Sequence, residues 1–118
     1  MTDPDILDPA VVASLRALTP PGEPDVLGEV LRLFLEEVPR RVEKLKAAWR
    51  DGNAVELQRA AHSLKGSSGN IGARHLHDIC RQLDERGKAG DFDGARRLLD
   101  SLDAEYGRVE AEIQRLLG

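Results

Sequence analysis

The chain has 118 residues, the usual size of one domain, and its 41% hydrophobic content is enough to form a buried core. Aromatic residues make up only 3%, so the core must come from Leu, Val, Ile and Ala, a composition that favours helices over sheets. The formal net charge of -4 argues against general nucleic-acid binding, and the single cysteine, Cys80, excludes an internal disulfide and a cysteine-rich zinc site. No apolar run approaches the roughly 20 residues that span a bilayer, so a cytoplasmic protein without a membrane segment is expected.

Five helices are predicted from apolar residues that recur every three or four positions. Asp8-Pro9 is typical of a helix start, and the TPPGEP segment at 19–24 breaks the chain after it. The predicted helices cover about 9–18, 25–50, 54–69, 73–86 and 91–117, with turns near 51–53, 70–72 and 87–90.

The four longer helices have short connections, which predicts an all-α, antiparallel up-down four-helix bundle with the short N-terminal helix capping one end. We expect a single domain over residues 1–118, with residues 1–7 frayed. The apolar stripes suggest a dimer only weakly, so a monomer is expected. The initiating methionine and short tail favour the expectation of a free-standing protein over the excised end of a larger sensor kinase.

His62 points away from the predicted core of the third helix. With Leu57 facing inward, Ala61 and Leu64 also face inward, whereas His62 lies about 140° around the helix. An interior glycine costs a helix about 0.5–1 kcal/mol relative to alanine, yet Gly66 follows His62 by one turn. Its missing side chain would leave the imidazole open to a bulky partner. The other residues on this flank are Gln58, Lys65 and Gly69.

The chemistry of this flank suits an incoming phosphoryl group. An ordinary imidazole is mostly an uncharged nucleophile near neutral pH, and the ammonium of Lys65 lies one turn away. An antiparallel fourth helix would bring up a flank made of His77, Arg81, Asp84 and Lys88, where Asp84 could orient the ring and Arg81 could add positive charge. Residues 59–88 carry six Lys/Arg and three Asp/Glu, a local excess that would steer an acidic partner to this face.

The run HSLKGSSGN at 62–70, followed by Gly72-Ala73, resembles the histidine-containing phosphotransfer (Hpt) domain of multistep two-component phosphorelays. The resemblance implies that His62 accepts a phosphoryl group on Nε2 from a receiver-domain aspartate and passes it to another receiver. It implies that Lys65 stabilises that group and that Gly66 clears the docking surface. The partners would be receiver domains of response regulators or of hybrid sensor kinases, and Mg²⁺ would come from the receiver, with no cofactor or metal site here. Such a chain is a carrier and not an enzyme.

Members of the family often use a polar residue on the next helix to bond the other imidazole nitrogen. That position falls on Asp84, although glutamine or glutamate is commoner there, and Gln82 is the alternative. The expected docking residues are Gly66, Gln58, Gly69, Arg81 and His77.

Other functions are compatible with parts of this pattern. The same face could bind a signalling partner without chemistry, as a helical adaptor does. A hydrolase or metal enzyme has little support, because Ser67 and Ser68 point to the core side and His75 and His77 do not share a helix face.

Overall fold

The computed structural model describes residues 2–118, and Met1 lies outside the described part of the chain. Over that range the chain is all-α, as predicted, with no strand. The helices are α1 (Pro9–Ala17), α2 (Val26–Arg50), α3 (Ala54–Asn70), α4 (Arg74–Ala89) and α5 (Phe92–Leu117).

Short polar side chains begin four of the five helices. Asp8, Asp25, Asn53 and Asp91 each accept a hydrogen bond from a backbone N–H in the first turn that follows, at 2.8–3.2 Å. These N–H groups have no partner inside the helix, so the caps satisfy donors that would otherwise be lost. The helix starts are therefore determined by local sequence.

Helices α2 to α5 form an antiparallel up-down four-helix bundle, with each helix packed on the next and α5 returning to α2. One apolar stripe of each helix faces the shared core. The largest fully buried side chains include Leu31, Val38 and Leu45 of α2, Leu57 and Leu64 of α3, Leu76 and Leu83 of α4, and Leu102 and Ile113 of α5.

The N-terminal segment, where the sequence predicts fraying over residues 1–7, contacts the bundle through Leu7 and Asp3, and Met1 lies outside the described residues. Leu7 is completely buried, and the Asp3 N–H donates to Oε2 of Glu112 on α5 at 2.6 Å. Helix α1 then caps the end of the bundle where α3 turns into α4, because the Asp8 N–H donates to the Gly72 carbonyl at 2.8 Å. Burial of a large apolar side chain outweighs the disorder expected of a chain end.

Two glycines set the limits of α4. Gly72 has a φ of +74° in the turn before it, and a side chain there would meet the Cβ of Asp8 at 2.9 Å. The turn predicted at 87–90 is shorter than expected, because α4 continues through Gly87 and ends at Gly90, whose φ is +66°. In residues 2–118, no helix combines the length and apolarity that crossing a bilayer requires.

Candidate functional site

The imidazole of His62 lies on the outer surface of α3. Its side chain is 64% exposed, whereas Ala61 and Leu64 beside it are buried in the core. Continuous helix on both sides holds the backbone of His62 in place. The ring is therefore accessible to a partner and rigidly mounted, as the helical periodicity predicts.

Asp84 on α4 contacts the imidazole ring of His62. Its carboxylate is only 3% exposed, and its Oδ2 lies 3.2 Å from Nδ1 of His62. The same oxygen accepts a hydrogen bond from Nζ of Lys65 at 3.2 Å, while Oδ1 accepts one from Nε2 of Gln58 at 2.7 Å. One buried carboxylate thus links three side chains of α3.

This contact determines which imidazole nitrogen is free. An ionised carboxylate only accepts hydrogen bonds, so Nδ1 of His62 carries the proton that Asp84 binds. In the neutral ring the lone pair then resides on Nε2. The arrangement leaves the lone pair of Nε2 free to act as a nucleophile.

Asp84 stays ionised in spite of its burial. Burial raises the pKa of the Asp84 carboxyl, but hydrogen bonds from Gln58, His62 and Lys65 and the nearby charge of Lys88 together place it below its ordinary value. The Nζ of Lys88 lies 3.9 Å from Oδ1. The carboxylate is therefore available as an acceptor throughout the neutral pH range.

Lys65 lies within reach of both the ring and the carboxylate. Its side chain is 27% exposed and its ammonium is one helical turn from His62, paired with Asp84 in this structure. An ammonium in this position can turn towards an anion on the ring, since it is held by one contact and has a flexible stem.

The two glycines of the motif lie in different surroundings. A side chain at Gly66 would meet nothing within 4 Å, so the fold itself does not require glycine there. A Cβ at Gly69 would lie 3.2 Å from Nδ1 of His77, which in turn lies 2.9 Å from the carbonyl oxygen of Lys65. Gly69 and His77 thus contribute to packing between α3 and α4, whereas Gly66 leaves open space beside the ring.

Arg81, a predicted docking residue, lies on the exposed surface of α4. Its guanidinium donates to Asp78 at 2.7 Å and to Glu85 at 2.8 Å, both on its own helix, so its charge is shared with two carboxylates. The structure also places the two candidates for the ring contact, Asp84 and Gln82, differently. Gln82 donates to Asp78 at 2.9 Å, and Asp84 is the one that bonds the ring.

Sequence reasoning missed how Gln58 and Gly87 take part. The sequence predicts Gln58 as a docking residue, whereas in the structure its amide donates a hydrogen bond to Asp84 between α3 and α4. A side chain at Gly87 would lie 2.8 Å from the backbone of Gln58, so the two helices touch there. The available signal was Gly87 itself, a glycine inside α4 and on the side that faces α3.

Within residues 2–118, no group of three or more His, Cys, Asp or Glu side chains is placed to hold a metal ion.

The chain is similar in sequence to proteins of one family. The family model described as Hpt domain matches residues 29–117. Histidine-containing phosphotransfer protein 2 of Arabidopsis thaliana is 30% identical over 103 residues, which cover 85% of this chain and 66% of that protein. Histidine-containing phosphotransfer protein 5 of the same plant is 28% identical over 107 residues, covering 88% of this chain and 68% of that protein. The chain thus spans about two thirds of the length of these curated relatives.

Solved structures show the same architecture. Histidine-containing phosphotransfer protein B (HptB) of Pseudomonas aeruginosa PAO1 superposes with a TM-score of 0.89 at 29% identity, covering 98% of this chain and 96% of that one. The phosphotransfer protein MtHPt2 of Medicago truncatula shares the fold, with a TM-score of 0.83 at 24% identity, covering 95% of this chain and 77% of that one. From the family match over most of its length, the chain belongs to the Hpt domain family.

Proposed function

We propose that this chain is a phosphorelay intermediate that carries a phosphoryl group on Nε2 of His62. The observation that carries the proposal is the hydrogen bond between Nδ1 of His62 and buried Asp84, on a ring that is otherwise 64% exposed. It fixes the tautomer and leaves Nε2 to react. Membership of the Hpt family supports the same role.

The donor and acceptor are receiver-domain aspartates. The lone pair of Nε2 attacks the phosphorus of an aspartyl phosphate, the N–P bond forms, and the aspartate leaves as a carboxylate. A second receiver reverses this step with its own aspartate. The chain then acts stoichiometrically and has no kinase activity of its own, and the Mg²⁺ of the reaction belongs to the receiver.

Lys65 and Gly66 assist in different ways. The ammonium of Lys65 is near enough to the ring to offset the charge of the phosphoryl oxygens. Gly66 leaves the space beside His62 free for the receiver's aspartate loop, because in residues 2–118 no side chain beyond its two chain neighbours lies within 4 Å of where a Cβ would be. The neighbouring helix surface, including Arg81, contributes to the docking contact. The proposal describes a monomer in the cytoplasm that does not bind nucleic acid.

A relay assay tests this function. One receiver is labelled with ³²P on its aspartate, purified away from its donor, and mixed with the chain and then with a second, unlabelled receiver. Label should pass to the chain and onward to the second receiver. If the chain binds the receivers but never carries label, the chain is an adaptor and the proposal is wrong.

A further inference from the structure

We propose that Gln58 and Asp84 form a proton anchor for His62: Asp84 keeps the Nδ1 proton on the ring while Nε2 carries the phosphoryl group, and Gln58 holds Asp84 in place for this task. The inference rests on the proposed function, and it assigns to Gln58 a positioning role inside the site.

The two oxygens of Asp84 have separate partners. Oδ1 accepts from Gln58 at 2.7 Å, and Oδ2 lies 3.2 Å from both His62 and Lys65. Rotation of the carboxylate would break the short bond to Gln58, so Oδ2 stays aimed at Nδ1. Gly87 allows the backbone of Gln58 to approach α4 closely enough for this bond.

The proton matters because of how the N–P bond breaks. When Nε2 attacks the aspartyl phosphate, no proton needs to leave, and the phosphorylated ring becomes a cation that retains its Nδ1 proton. When the next aspartate attacks phosphorus, the electron pair of the N–P bond returns to Nε2 and neutral imidazole departs. Without the Nδ1 proton the leaving group would be imidazolate, a far stronger base and a poorer leaving group.

One carboxylate contacts the ring, and two ammonium groups share that carboxylate with it. On α4, Asp84 bonds Nδ1 directly, Lys88 lies 3.9 Å from the far oxygen of Asp84, and Arg81 is neutralised by Asp78 and Glu85. On α3, Lys65 shares Oδ2 with the ring. Arg59 of α3 is paired with Glu56, and His77 of α4 is bonded to the Lys65 carbonyl oxygen.

Phosphorylation of Nε2 should strengthen the hydrogen bond between Nδ1–H of His62 and the Asp84 carboxylate. A phosphoryl dianion on Nε2 attracts the ammonium of Lys65 away from Asp84, and the carboxylate is then left to the Nδ1–H alone. We expect the phosphorylated ring to keep its proton to a higher pH than an unsupported phosphohistidine does.

A ³¹P NMR titration tests the anchor without a receiver. The chain is phosphorylated with phosphoramidate, a small phosphoryl donor, and the ³¹P chemical shift of the His62 signal is followed against pH. The signal is identified by its absence from His62→Gln. In Asp84→Asn the midpoint of the titration should fall by about 1 pH unit or more, because a carboxylate in contact with a cation is replaced by a neutral amide.

The chain offers a matched pair of glutamines as the control. Gln58→Met removes the amide that bonds Asp84 and should lower the midpoint, by less than Asp84→Asn does. Gln82→Met removes an amide on α4 that bonds Asp78 instead, and it should leave the midpoint unchanged. If the loss of any glutamine amide were enough to change the midpoint, Gln58→Met and Gln82→Met would change it equally.

The possible outcomes distinguish a failure of the proton anchor from a failure of the proposed phosphorelay function. If the wild-type chain takes up no phosphoryl group at His62, the proposed function fails and the anchor fails with it. If His62 is phosphorylated but Asp84→Asn and Gln58→Met titrate like wild type, only the anchor is overturned. Should Asp84→Asn lose its helical circular dichroism, the comparison of Gln58→Met with Gln82→Met decides.

Discussion

Gln58 and Gly87 touch through their backbones: a Cβ on Gly87 would lie 2.8 Å from Cα of Gln58. This contact brings α3 and α4 together one turn from Asp84. A close helix pair explains how the short side chain of Asp84 reaches Nδ1 of His62. The geometry of the site thus depends on a residue with no side chain.

Replacing Gly87 with alanine should separate the two helices. Overpacking against backbone costs about 1–3 kcal/mol, and we expect the free energy of unfolding to fall by that amount in urea titrations. Phosphoryl uptake by His62 should fall with it, since the ring loses its contact with Asp84. Gly107→Ala is the matched control, because a side chain there meets nothing within 4 Å, and it should stabilise α5 by about 0.5–1 kcal/mol. A Gly87→Ala chain as stable as wild type would contradict the close approach.

Gly66→Gln should slow phosphoryl transfer from a receiver without destabilising the fold. A Cβ at position 66 would meet nothing within 4 Å, so removing a helical glycine should leave the thermal unfolding midpoint unchanged or raise it. The added side chain covers the approach to His62 and should slow phosphoryl transfer from a receiver. Smaller phosphoramidate should still react, which makes it the control donor. Normal transfer from the receiver would show that Gly66 does not clear the docking surface.

The sequence predicted this fold well because its signals are local. Caps such as Asp25 and Asn53 and the apolar stripes specify where helices start and which side is buried, and the same periodicity placed His62 outside. The pairing of Gln58 with Asp84 depends on the distance between two helices, which no local pattern encodes. The burial of Leu7 is not predictable from the sequence for the same reason, because it depends on contacts with residues far along the chain.

The lowered pKa of Asp84 predicts that the protein loses stability in acid. Its folded pKa lies below the ordinary 3.8, so the ionised form favours the folded state. Its contribution is complete above the ordinary value and disappears as the pH falls through the lowered one. Asp84→Asn should therefore be less stable than wild type by about 1–3 kcal/mol near neutral pH, with the difference shrinking only below about pH 4. Urea unfolding at a series of pH values measures it, and a difference that changes instead between pH 6 and 8 would point to another group.

Leu7→Ala tests the docked N-terminal segment. Leu7 is fully buried, so truncation should cost about 2–5 kcal/mol of unfolding free energy. Leu18→Ala is the matched control, because Leu18 is 63% exposed and should change stability by less than about 0.5 kcal/mol. Equal stability of the two variants would mean that the segment is detached in solution.

The most direct test of the account is to find where the phosphoryl group resides. The chain is incubated with a ³²P-labelled receiver, and the wild type is compared with His62→Gln and with His75→Gln, which removes an exposed histidine of α4. We predict an acid-labile, alkali-stable label on the wild type and on His75→Gln, and none on His62→Gln. Equal labelling of His62→Gln would contradict the claim that the exposed Nε2 of His62 receives phosphate.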